Sequence, residues 1–196
     1  MVNLKTLRPT NRSLIDPETG TEYRRMAGGL CWPIRGIPGF LILIGETWQT
    51  LDDRSHYGLM EMEIRHIEDA FVAVRELPGQ YFFTVTPSNL TDYVQSLLYR
   101  NPALSTGKIV DIQEEISLDG DPVQFFNDID QEIDKRSRDQ GRSIYLQDCP
   151  RTAGSLQSRL PAGWKTSDDI LSVPEVAALF YALGAFFLWK NWPLFG

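Results

Sequence analysis

Residues 39–47 read GFLILIGET, with Phe40 to Ile44 apolar without a break. A strand with one wet face alternates polar and apolar residues. A continuous run bounded by glycines is instead a strand buried on both faces, as in the middle of a sheet. Such a strand needs partners on either side and cover on both faces, so the rest of the chain is read for what supplies them.

Upstream, Tyr23 to Trp32 forms a first strand carrying Gly28-Gly29, a pair that lets something approach the backbone closely. Pro33 to Pro38 is a turn. Downstream, Tyr57 to His66 alternates, with Met60, Met62, Ile64 and His66 on one side and Leu59, Glu61, Glu63 and Arg65 on the other. Ile67 to Leu77 has helical 3-4-3 spacing and stops at Pro78-Gly79. Gln80 to Thr86 is an aromatic, β-branched strand. Ser88, after Pro87, is placed to N-cap an amphipathic helix (Leu90, Val94, Leu97, Leu98) that ends at Asn101-Pro102. Lys108 to Ile112 (KIVDI) is a short strand, and Val123 to about Arg138 a helix capped by Gly141. Ser143 to Gln147 is one more strand. Residues 148–165 read as loop with one short helical turn, before Thr166 to Asp169 open a terminal helix.

Antiparallel opening strands followed by β–α–β units predict an α/β fold, a mixed sheet flanked by helices. The expected organisation is an N-terminal arm over 1–22, irregular or a short hairpin, an α/β domain over 23–190 and an apolar tail over 191–196.

A chain of 196 residues buries a sizeable core without disulfide or metal. Its two cysteines, Cys31 and Cys149, form no CxxC pair, which fits a reducing cytoplasm. The net charge of −7 argues against strong unaided binding to nucleic acid, while leaving room for a nuclease whose substrate a partner subunit holds. MVNLKTLRPTNRS lacks the apolar run of a secretory signal. Val176 to Trp189 is uncharged but falls short of the roughly 20 residues that span a bilayer. It is expected as a buried helix, the competing expectation being a partner or membrane anchor.

No P-loop, G-x-S-x-G elbow or HExxH spacing is present. His66 reads as a surface or rim residue. The carboxylates stand out: Glu46 ends the strongest strand, Asp111 sits inside KIVDI, and Asp168-Asp169 begin the last helix. Hydrolysis of phosphodiesters by two metal ions needs three or four carboxylates brought together from different elements, since Mg²⁺ takes hard oxygen ligands. Asp168 and Asp169 are also where a helix N-cap is expected.

The order of elements resembles the ribonuclease H-like fold, and in detail the nuclease domain of phage terminase large subunits. The likeness lies in MAGGLCWPIRGIPGFLILIGE (26–46), QYFFTVTPSNLTDYV (80–94) and KTSDDILSVPEVAALFYAL (165–183). It implies a domain of phage or prophage origin using Mg²⁺ or Mn²⁺ on DNA, held by a partner subunit and working with a separate packaging ATPase. Two frames are open. In one, the family's first-strand acid falls at Cys31 and its fourth-strand acid at Thr84 or Thr86, which leaves only Asp168-Asp169 and an inactive site. In the other, Gly39–Glu46 is the first strand and KIVDI the fourth, and Glu46, Asp111 and Asp169 hold metal, with Asp168 as an alternate ligand. A non-enzymatic adaptor acting through the apolar C-terminal helix is the rival expectation.

Overall fold

The computed structural model describes residues 4–10, 13–34, 36–48, 54–104, 107–112, 122–139, 144–157, 166, 169 and 172–188. Its spine is a six-stranded sheet. Strands β4 (Arg25–Cys31), β5 (Gly39–Trp48) and β6 (Arg54–Ile64) form an antiparallel meander. Strand β7 (Tyr81–Thr84) joins β4 in parallel, β8 (Ile109–Asp111) joins β7 in parallel, and β9 (Ile144–Tyr145) joins β6 in parallel. The order across the sheet is β8-β7-β4-β5-β6-β9. The run at 39–47 therefore sits in the middle, as its sequence demands. Phe40, Ile42 and Ile44 point to one apolar cluster, Leu41 and Leu43 to the other.

Helices α1 (Ile67–Glu76) and α2 (Ser88–Arg100) contribute to the second cluster through Ile67, Ala70, Phe71, Val74 and Val94. The first cluster takes in α3 (Pro122–Asp139), α4 (Pro150–Gln157) and α5 (Pro174–Leu188). Helix α5 is an interior element: each residue from Val176 to Phe186 is buried. The expectation of a buried terminal helix holds over these residues. No helix among the described residues is long and apolar enough to cross a membrane. The tail 191–196 and the Gly141 cap lie outside the described residues.

The paired glycines of β4 serve opposite faces. A Cβ on Gly28 would meet the Phe82 ring at 2.0 Å, and one on Gly29 would lie 1.7 Å from the Ala178 carbonyl oxygen of α5. What approaches closely is thus the backbone of the terminal helix.

Three expectations are corrected. The stretch 148–165 contains a full helix, α4, rather than one turn. The arm, expected as irregular or as a short hairpin, goes beyond a hairpin to a three-stranded sheet of β1 (Arg8–Pro9), β2 (Leu14–Ile15) and β3 (Glu22–Tyr23). A bulge opposite Leu43 and Ile44 shifts the β6 alternation, so Leu59 joins the core beside Leu41 and Leu43 instead of sharing the face of Glu61 and Glu63.

Candidate functional site

The sheet has two poles. At one, the carboxyl ends of β4, β7 and β8 lie together. Cys31 ends β4 and is buried, its thiol pushed up to about 12 by burial and then by Glu175 of α5. Thr84 ends β7 opposite Asp111, whose carboxylate accepts the Thr86 N–H at 2.9 Å. Burial first, then Cys31 and Asp111, raise the pKa of the Tyr181 phenol on α5.

At the other pole Arg25, Glu46 and His56 stand side by side on β4, β5 and β6, since Glu46 pairs in register with both neighbours. Glu46 and His56 are each 0% exposed. The Glu46 carboxylate lies 3.4 Å from Arg25 Nε and 3.4 Å from His56 Nε2, and accepts the indole N–H of Trp48. Phe186 and Phe187 in the last turn of α5 pack edge-on against the His56 ring. Arg25 and Arg54 both lie over the Trp48 ring, at 5.3 and 4.8 Å. Burial alone would raise the Glu46 pKa. The His56 bond and charge, the Trp48 bond and the Arg25 charge outweigh it and hold the carboxyl below its usual value.

These positions overturn the frame that joins Glu46 to Asp111. Asp111 pairs with Thr84, which lies level with Leu30, whereas Glu46 pairs with Arg25. Strands β4 and β7 separate the two acids. At about 3.3 Å per residue and about 4.8 Å per strand they stand on the order of 20 Å apart. Metal ions in a two-metal site are about 4 Å apart, so one site cannot use both. Asp169 makes a reciprocal pair with Thr166, accepting its N–H at 2.9 Å and donating its own N–H to Thr166 Oγ1 at 3.2 Å, while the terminal helix that these residues were expected to open begins only at Pro174. Asp168 lies outside the described residues.

Mg²⁺ and Mn²⁺ do not fit this donor set. Every Glu46 contact named above is with a nitrogen donor, two of them on cationic or protonatable side chains. Among the described residues no three His, Cys, Asp or Glu side chains are grouped to hold a metal ion.

A second group of acids escaped the sequence reading. Glu61 of β6 accepts the Arg151 N–H at 2.9 Å, the Thr152 N–H at 2.9 Å and the Thr152 hydroxyl at 2.8 Å, and so caps α4. The Arg151 guanidinium reaches Glu63 at 3.3 Å and Glu175 at 2.9 Å, and lies 5.1 Å over the Phe40 ring. Partial burial alone would lower its pKa, but the bonds to Glu175 and Glu63 raise it. The only signal in sequence is Glu175 following Pro174 in a first turn, where an acid faces the positive helix end.

Beside this pole lies an open cleft of about 560 Å³, its walls including Pro33, Ile37, Glu63, Arg65, His66 and Tyr93. His66 is exposed on its rim, as expected, and the Tyr93 hydroxyl bonds Glu68 at 2.9 Å. Set against known protein families, curated proteins and solved structures, the chain matches none of them.

Proposed function

We propose that this chain is a ribonuclease H-like domain of terminase type that does not hydrolyse nucleic acid and acts as an assembly partner of a separate packaging ATPase. The observation that carries it is the strand order: three antiparallel strands, then two added in parallel beside the first. In that order β4 is the first strand and β7 the fourth. The positions that matter are then Cys31 and Thr84, a buried thiol and a hydroxyl, neither of which is a hard anionic ligand for Mg²⁺. Asp111, an acid of this pole, stands one strand further out and is bonded to the Thr86 amide.

Supercoiled plasmid incubated with the chain and Mn²⁺ tests the catalytic half. No nicking is expected. Nicking that disappears in Asp111→Asn or Asp169→Ala would overturn it. Sedimentation of the chain mixed with the packaging ATPase of the same genome tests the other half, a joint boundary being expected and two independent boundaries ruling it out.

A further inference from the structure

We infer that the strand-end pole of this sheet is closed by a cation of its own, the half-exposed Arg151 guanidinium, in the region where a ribonuclease H-like domain would carry metal ions. Its functional meaning rests on the proposed function above; its geometry stands alone.

Three acids converge on residues 150–152. Glu61 directs both carboxylate oxygens at the first turn of α4. Glu63, near the end of β6, and Glu175, in the first turn of α5, share one guanidinium. A planar fork with several N–H groups can bind two carboxylates at once, which a point-charge ammonium does less well. The guanidinium lies over Phe40, and Phe40 is the register partner of Cys31. The cation therefore sits beside the end of the first strand.

Each of the three acids is partnered without a metal ion: Glu61 by the N–H and hydroxyl donors of residues 151 and 152, Glu63 and Glu175 by guanidiniums. Glu63 also bonds Arg65 at 2.9 Å, so two carboxylates, Glu63 and Glu175, face two guanidiniums, Arg65 and Arg151. Bringing in Mg²⁺ would require these oxygens at about 2.1 Å from the ion and Arg151 displaced. That would leave a guanidinium without its partners and unseat the start of α4.

Thermal unfolding of the full chain tests this, with MgCl₂ or MnCl₂ compared against NaCl at equal ionic strength. The wild-type Tm is expected to move by less than about 1 °C on adding divalent ions, whereas a site at tenfold ligand excess would raise it by roughly 3–5 °C. Arg151→Gln is expected to lower Tm by about 2–4 °C, with Arg151→Lys in between. A divalent-dependent rise in wild type that is lost in Glu175→Gln overturns the inference. So does an Arg151→Gln variant that melts with wild type. Plasmid nicking bears on the non-hydrolytic function alone, so failure of one is told apart from failure of the other.

Discussion

Replacing Gly29 by alanine adds one methyl group where the sheet and the terminal helix nearly touch. Gly29 does not have a positive φ, so the added cost is steric rather than conformational. Its Cβ would stand 1.7 Å from the Ala178 oxygen, 2.6 Å from the Ala178 carbon and 2.9 Å from the Ala182 nitrogen. A carbon and a carbonyl oxygen need about 3.3 Å, so α5 must retreat by roughly 1.6 Å. The obstacle is helix backbone and cannot rotate aside. A gap of 0.5–1 Å already forfeits about a quarter to a half of a dispersion contact, and α5 is buried from Val176 to Phe186. Ordinary overpacking costs about 1–3 kcal/mol. Gly29→Ala is expected to exceed it, at about 4 kcal/mol or more, a large part of the roughly 5–15 kcal/mol that holds a domain folded. Gly28→Ala meets the Phe82 ring, a side chain that can repack, and should cost about 2–3 kcal/mol. Gly154→Ala, in α4 with nothing within 4 Å, should stabilise by up to about 1 kcal/mol. Urea unfolding followed by circular dichroism ranks the three. A Gly29→Ala variant within about 1 kcal/mol of wild type would refute the close packing of α5 on β4.

Other consequences can be measured directly. Glu46→Gln removes the charge that contacts both Arg25 and His56, and losing a partner of a buried pair costs about 3–5 kcal/mol, read from the urea midpoint. Because the folded-state pKa of Glu46 is lowered, its ionised form contributes stability above the unfolded value of 4.5, and that contribution is lost as pH falls through the folded value. A stability profile from pH 7 to pH 3 should therefore slope less in Glu46→Gln than in wild type, and parallel profiles would count against the pairing. Burial lifts the thiols of Cys31 and Cys149 to about 12, so neither should react with a thiol reagent at pH 8 until the chain is unfolded. Glu61→Gln removes the charge that caps α4 and should expose 150–157 to protease before the rest of the chain.

Period and composition made the main strands and the helices α1, α2 and α3 legible, because each buries a face whose spacing is written locally. What was not legible depends on residues far apart in the chain. Helix α4 contains Thr152, Gly154 and Ser155, poor helix formers, and is started by Glu61 from another element. The partners of Glu46 became visible only with the register, which sets Arg25, Glu46 and His56 in one row. Glu46 and Asp111 look alike in sequence, each an acid in or at the end of an apolar strand. Strand order and register together put them at opposite poles.

The placement of α5 also sets a schedule. The sheet face it covers, made by Ala27, Cys31, Phe40, Ile42, Ile44 and Phe83, is complete in sequence by residue 83, yet the helix begins only at Pro174. A ribosome adding about 5–20 residues per second takes roughly 5–20 s to reach the covering helix. During that interval the face lacks α5, and α3 and α4 of the same cluster arrive only on the way, so a holding chaperone has most to do in this window.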